Sequence, residues 1–454
     1  MWWDERFASF DGAVVESDSQ AKPAASKQLT AYISLESAYV RTLVKDAFDR
    51  RPEWTVNRIE LTAEEAVDCS GSGESLFYWG EYEEIDWEKV HSGEFQAKPS
   101  GEQHACCYCF RKGLIRKAHL CHNTKKWAAK HPEGWLAKSV PESFIFELDD
   151  IDYIEEALCD VPEVRDMPDG SARWIAKPSI TNQATGICIF DRVSQLEAAL
   201  HANQDLREWV LQRYIERPLL IQQRKFHLRV YVLCVGSLKA YVYDQVLALF
   251  AGQPYDSELG DLGNLDAHLT NTCRLEGGVE EGQAVRLLSE LPQVSMPIPL
   301  VSAGIHTSFK SQNLLAKEGM TTEEAERRVQ QVSKDMQAII GECIDAVSGE
   351  LTFFTLPNCF ELFGFDLMVD DQWHVWLLEA NAEPDLQQTG SRLKPIVAGL
   401  IEGIMQLVVD PLAMTQGVDA SQPVSTSGDF SGQWVEVLDK QQGRHLGSSG
   451  IAFQ

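Results

Sequence analysis

Phe365-Asp366-Leu367-Met368-Val369-Asp370-Asp371-Gln372-Trp373-His374-Val375-Trp376-Leu377-Leu378-Glu379-Ala380-Asn381 reads as two strands joined by a tight polar turn at Asp370-Asp371-Gln372. Apolar residues alternate on both arms, Phe365, Leu367 and Val369 on the first and Trp373, Val375 and Leu377 on the second. Side chains on a strand alternate between faces, so Glu379 and Asn381, two apart, point the same way, and folding the hairpin brings Asp366 beside them. Two carboxylates and an amide oxygen on one patch form a hard oxygen site, suited to Mg²⁺ held partly by substrate phosphates. The plainer alternative is an edge hairpin with solvated acids. The rest of the chain decides between them.

At 454 residues, the chain has room for two or three domains with substantial cores. A composition of 44% hydrophobic and 24% charged residues is that of a globular protein. The net charge of −28 argues against non-specific binding to nucleic acid or to an anionic membrane. We expect no membrane span, having found no apolar run of spanning length, and Met1-Trp2-Trp3-Asp4-Glu5-Arg6 does not read as a secretory signal. Eleven cysteines, an odd number, fit reduced thiols in a cytosolic protein better than a disulfide framework. The run His104, Cys106, Cys107, Cys109, His119, Cys121 and His122 holds enough soft ligands for zinc. Its spacing is not that of paired Cys-x-x-Cys motifs, and buried thiols are the favoured reading.

Five segments are expected along the chain: a polar leader over 1–30, an N-terminal α/β lobe over 31–150, a central lobe over 151–265, a C-terminal lobe over 266–410, and a largely disordered Ser/Gly/Gln-rich tail over 411–454. Leu76–Gly80 reads as a strand leaving the core. Strand-like runs follow at 173–177, 186–190, 209–214, 227–233 and 238–243, the last two separated by the hairpin signal Val235-Gly236-Ser237. Thr321 and Glu324 form a capping-box pattern ahead of Val329, Val332, Met336, Ile339, Ile340, Cys343 and Val347, so a helix is expected over 321–347.

Several polar residues suit phosphate chemistry. Lys177 ends a strand before the polar turn Pro178–Gly186, whose amides are placed to close over phosphate oxygens, although taken alone the pattern reads more often as a plain hairpin with one lysine. Gln212-Arg213-Tyr214-Ile215 ends the next strand, where its backbone is free to hold an adenine edge. In Arg224–Arg229, alternation sends Lys225, His227 and Arg229 to one face and Phe226, Leu228 and Val230 to the other. An exposed sheet surface is one reading of those three; opposite an acidic metal hairpin, a phosphate clamp is the better one.

In this order, the segments resemble the tubulin-tyrosine ligase family of the ATP-grasp superfamily. The resemblance rests on Trp174-Ile-Ala-Lys177-Pro-Ser, Leu211–Leu220, Arg224-Lys-Phe-His-Leu-Arg229, His268-Leu-Thr-Asn271, and Phe360–Asp366 through Leu378-Glu-Ala-Asn381. It spans roughly residues 75–395. It implies an α/β, ATP-grasp fold with mostly antiparallel sheets, an N-terminal lobe, and ATP between the central and C-terminal lobes. The nucleotide lysines then fall on Lys177 and Lys225, the adenine linker on Gln212, Arg213, Tyr214 and Ile215, the Thr-Asn pair on Thr270 and Asn271, and the Mg²⁺ ligands on Asp366, Glu379 and Asn381. Gly186 closes the phosphate turn, and Arg229 and Lys225 are the catalytic candidates.

The implied reaction activates an acceptor carboxylate as an acyl phosphate, which an amino acid's amine then attacks. No nucleophilic side chain is required, and the chain shows no Ser/His/Asp or Cys/His constellation. The resemblance further implies an acidic protein tail, that of tubulin foremost, as acceptor and free tyrosine as donor. It also implies a cytoplasmic location, at the cytoskeleton or at P-bodies. Glutamate or glycine ligation and a catalytically impaired nucleotide-binding adaptor are the alternatives. An acidic tail calls for a basic surface, for which Arg111-Lys112, Arg116-Lys117 and Lys125-Lys126 are the candidates. Relative to many members of the family, His227 stands in place of Asp, Leu247-Ala-Leu-Phe250 lacks an arginine that helps hold the amino acid, and the turn after Lys177 lacks a basic residue.

Overall fold

The computed structural model describes residues 29–58, 76–88, 90, 103–181, 184–255, 262–270, 284–292, 294–296, 310–312, 319–387, 393–415, 432–440 and 444–445. Residues 1–28 of the expected polar leader and Asn271 lie outside these residues, while Leu29 and Thr30, placed in the leader, begin the first strand.

Strands β1 (Leu29–Ser34), β2 (Trp54–Arg58), β3 (Leu76–Gly80) and β4 (Gln103–Ala105) form a parallel sheet in the order β2-β1-β3-β4. On β1, Leu29, Ala31 and Ile33 are buried, and the helix Ala38–Asp49 packs Leu43, Val44, Ala47 and Phe48 inward. That helix starts at Ser37, whose hydroxyl accepts a hydrogen bond from the Val40 amide. The aromatic run on β3 does not leave the core. β3 lies between β1 and β4, and its Phe77 stacks on Phe360 with ring centroids 5.7 Å apart.

Strands β5 (Ser143–Glu147), β6 (Trp174–Pro178), β7 (Cys188–Phe190) and β8 (Glu208–Arg213) make a second, antiparallel sheet ordered β5-β8-β6-β7. It has its own core, built on Phe146, Trp174, Phe190, Trp209 and Leu211 with Leu196 and Leu200 from the helix Val193–Ala202.

The third sheet is organised by β10 (Arg224–Val235), twelve residues long. Preceded by the short β9 (Leu220–Ile221), β10 pairs on one side with β12 (Leu247–Phe250), which continues to β13 (Val285–Leu287). It also pairs with β11 (Lys239–Tyr243) and with β16 (Phe360–Val369), and β16 pairs with β17 (Val375–Ala382). A two-stranded ribbon, β14 (Val294–Met296) with β15 (Lys310–Gln312), stands apart. The β10–β11 hairpin turns at Gly236, whose φ of +59° suits glycine. The amphipathic helix Thr322–Ser348 buries Val329, Val332, Met336, Ile339, Ile340, Cys343 and Val347. As expected from the capping-box pattern, the Thr321 hydroxyl caps it by accepting from the Glu324 amide at 3.2 Å.

Three expectations change. First, β5 joins the sheet of β6 to β8 although it precedes residue 151, and β9 to β12 belong to the third sheet, with β16 and β17. Pairing with β16, more than a hundred residues away, fixes their place. Second, the stretch after 411 is not wholly unstructured: Asp410–Thr415 is helical and β18 (Trp434–Asp439) adds to β11. Val437 and Leu438 are buried there, which anchors this short strand. Third, the helical run Lys394–Thr415, 22 residues, is long and apolar enough to cross a membrane by length and composition. With 61% of its most apolar window buried within the protein, it reads as a core helix.

Candidate active site

The second and third sheets face each other across a cavity of about 450 Å³, a size suited to a small ligand. Its walls combine β6, β8, β10, β16 and β17 with the start of the helix Lys117–Lys130.

The hairpin β16–β17 carries the acidic wall. Asp366 lies directly opposite Glu379 and Gly364 opposite Asn381, whereas Leu367 lies opposite Leu377. Leu378 is therefore an extra residue, a β-bulge. This bulge reconciles two demands that strict alternation sets against each other. Val375 and Leu377 turn to the core, and one step beyond, Glu379 and Asn381 turn to the cavity beside Asp366. The Asn381 amide donates to Asp366 Oδ2 at 3.2 Å and to Glu379 Oε1 at 3.4 Å.

The basic wall comes mainly from β10 and β6. Arg229 lies opposite Asp366 in the β10–β16 register, and its Nε and Nη2 donate to the two Asp366 oxygens at 2.5 and 3.1 Å. Lys225 donates to the Tyr214 hydroxyl at 2.9 Å, and that hydroxyl lies 3.0 Å from His268 Nδ1. Lys177 donates to Gln212 Oε1 at 2.8 Å. His227 Nδ1 lies 2.6 Å from the Thr270 hydroxyl, and its Nε2 lies 3.6 Å from Asp366 Oδ1.

Burial shapes the electrostatics. It pushes the Lys225 ammonium down to about 7, helped by Lys177 close by. Lys177 is also pushed down by burial, although Glu379 and Asp366 favour its charge. For Glu379, burial acts upward, but Lys117, Lys177, the Asn381 hydrogen bond and Arg229 outweigh it and hold the carboxyl below its usual range. Arg229 likewise stays charged, because Asp366 overcomes the cost of burial. Burial pushes the His227 imidazole down.

Of the residues singled out in the sequence, Lys177, Gln212, Arg213, Tyr214, Ile215, Lys225, Arg229, Thr270, Asp366, Glu379 and Asn381 all line this one cavity. Gly186 does not. Its φ is +77°, and a Cβ there would meet Pro178 at 2.9 Å, which accounts for glycine in this turn. The Gln212 side chain is engaged by Lys177 and by the Ser143 hydroxyl, and its backbone lies within the sheet between Ser143 and Ile175.

The basic run expected to form a docking surface is divided between uses. Lys117 enters the cavity, 3.6 Å from Glu379 Oε2, and donates to the Thr181 carbonyl at 3.0 Å. Arg111 is buried in the cavity wall. Lys126 pairs with Glu350, and Lys125 lies over the Phe144 ring. Sequence reasoning missed Lys117 as a site residue because it was read within a charge run. The signal was its spacing: Lys117, Cys121 and Thr124 recur on one helix face, and the latter two are buried. In the His/Cys run, Cys106, Cys107 and Cys121 are buried free thiols, and burial pushes His104 down to about 4.

The fold and cavity can be set beside known proteins. The model of the tubulin-tyrosine ligase family matches residues 102–284 and 307–417. The chain belongs to the tubulin-tyrosine ligase family. A probable tubulin–tyrosine ligase of Schizosaccharomyces pombe is 29% identical over 78% of this chain and 88% of its own length. A probable tubulin–tyrosine ligase of Saccharomyces cerevisiae is 28% identical over 74% of this chain, which spans 46% of that protein. Among solved structures, the C-terminal domain of K. lactis Pby1, an ATP-grasp enzyme interacting with the mRNA decapping enzyme Dcp2, is 26% identical with a TM-score of 0.60. That match covers 90% of this chain and 99% of the solved one. Like that neighbour, this member of the tubulin-tyrosine ligase family has the ATP-grasp fold, with antiparallel central and C-terminal sheets enclosing the cavity.

Proposed function

We propose that this protein is an ATP-dependent carboxylate–amine ligase that joins tyrosine to the acidic C-terminal tail of α-tubulin or a similar protein. The observation carrying the proposal is the convergence of Lys117, Lys177, Lys225 and Arg229 with Asp366, Glu379 and Asn381 in one cavity between two sheets. Four basic side chains in a largely buried space suit the triphosphate of ATP. Asp366 and Glu379, opposed in register with Asn381 beside them, form a hard donor set that fits Mg²⁺. Bound there with ATP, Mg²⁺ would neutralise phosphate charge. Tyr214 and Ile215 would border the adenine, and Lys177 and Lys225 the phosphates.

In the reaction, a carboxylate oxygen of the acceptor attacks the γ-phosphorus and ADP leaves, giving an acyl phosphate. The donor amine then attacks the acyl carbon, phosphate leaves, and an amide bond forms with loss of one proton. Arg229 is held 2.5 Å from Asp366, where it can also stabilise the charge on the transferring group. The proposal carries a cytoplasmic location, at the cytoskeleton or at P-bodies.

Incorporation of labelled tyrosine into a peptide ending Glu-Glu, with glutamate and glycine in parallel, tests the donor and acceptor. ATP-dependent incorporation of tyrosine alone is expected. Preferential incorporation of glutamate or glycine would replace the tyrosine reading, and no incorporation of any of them with nucleotide bound would point to an adaptor.

A further inference from the structure

Arg111 is gripped unequally on its two sides. Its Nη1 donates to Glu361 Oε1 at 2.6 Å, and Glu361, only 2% exposed, also accepts from the Tyr108 amide. The Tyr82 ring lies 4.1 Å from the guanidinium carbon. This half of the guanidinium is fixed. The other half, through Nη2, donates to Glu383 Oε1 at 2.8 Å, and the Glu383 side chain is 49% exposed. Asp366 and Glu379, the other cavity carboxylates paired with cations, are 7% and 20% exposed, so the Arg111–Glu383 contact is the more open to exchange.

Position strengthens the case. Arg111 and Glu383 both line the nucleotide-sized cavity together with Glu379 and Asn381. Glu383 also lines an adjoining cavity of about 550 Å³ that opens toward the N-terminal sheet. Its backbone is held at φ +49°, an uncommon conformation for a residue with a Cβ. A preorganised guanidinium edge thus faces the junction of two cavities, covered by one half-exposed carboxylate.

We propose that the outer edge of Arg111 is a carboxylate-binding position of the ligase site, occupied by Glu383 until a substrate carboxylate replaces it. The inference rests on the ligase reading above and adds the positioning residue for one substrate. A planar guanidinium offers two parallel donors, which match a carboxylate better than an ammonium does. The incoming carboxylate belongs either to the acceptor chain or to the free amino acid, since both carry one.

Binding to Glu383→Ala and to the wild type, with a non-hydrolysable ATP analogue and Mg²⁺ present, separates the possibilities. The probes are a fluorescent peptide ending Glu-Glu and free tyrosine. Removing the internal competitor should tighten one probe roughly tenfold, the scale of one charge-assisted hydrogen bond. The probe that gains identifies the source of the carboxylate. Adding Arg111→Gln to Glu383→Ala should abolish the gain, with thermal unfolding confirming a folded protein. Equal affinities of both probes for the wild type and Glu383→Ala would overturn the proposal and leave Glu383 a structural partner. Analogue affinity, measured on each protein, reports separately on the nucleotide site: a wild type that binds no analogue would defeat the ligase reading itself, and this proposal with it.

Discussion

Lys225 shows how burial prepares a residue for its ligand. Its ammonium is pushed down to about 7, so near neutral pH much of it is unprotonated in the empty site. A triphosphate beside it favours the charged form, so the amine takes up a proton on binding. Between about pH 7 and the usual lysine range, nucleotide affinity should therefore fall as pH rises, by up to about tenfold per pH unit. Below about pH 6 the dependence should vanish, because the amine is already charged. Calorimetry with an ATP analogue in two buffers of different ionisation enthalpy checks this at pH 7.5 and pH 6. Identical heats in both buffers at pH 7.5 would contradict it. Glu379 is the acidic counterpart, held ionised by Lys117, Lys177 and Arg229 despite its burial. Glu379→Gln keeps its shape but removes the charge, and ATP-dependent ligation should fall by at least about a hundredfold. The convergence of Lys177, Lys225, Asp366 and Glu379 on one cavity was legible in the sequence because each is a polar residue at a fixed place in a strand pattern. Arg111 and Lys117 were not, because a run of basic residues looks like a solvated surface until the helix packs.

At the scale of elements, the β16–β17 hairpin was readable as two strands and a turn, but its bulge was not. Strict alternation puts Glu379 and Asn381 on the same face as Val375 and Leu377. The structure avoids that conflict with one extra residue at Leu378, which no local pattern announces. The helix Thr322–Ser348 is the opposite case, since its cap and its apolar stripe are both written locally. Thr321→Ala removes the hydroxyl that accepts from the Glu324 amide and should cost about 1 kcal/mol. Urea denaturation reads this as a lower midpoint with an unchanged slope. An unchanged midpoint would mean that the cap contributes nothing.

Across the whole molecule, charge is segregated. A chain of net charge −28 gathers Arg111, Lys117, Lys177, Lys225 and Arg229 around one cavity, so a basic pocket sits inside an acidic protein. A second network joins the lobes. Arg51, at the end of the first helix, is 7% exposed and bonds Glu402 at 2.9 Å and Asp410 at 2.5 Å on the C-terminal helices. Arg51→Ala leaves Glu402 with Arg50 alone, 2.7 Å away, and should cost about 1–3 kcal/mol in thermal or chemical unfolding; an unchanged stability would show that the network is dispensable. Such contacts join residues some 350 positions apart, and one sequence carries no signal for them. The same holds for the pairing of β10 with β16, which departs from chain order, and for β18, which returns to the sheet after a Ser/Gly-rich stretch.

Calorimetric titration of the full chain with a non-hydrolysable ATP analogue, with and without Mg²⁺ and alongside Glu379→Gln, tests the central claim most directly. Tight binding that requires Mg²⁺ in the wild type and is lost in Glu379→Gln is the predicted result. Binding of equal strength with and without Mg²⁺, unchanged in the variant, would contradict the assignment of Asp366, Glu379 and Asn381 to the metal–phosphate site.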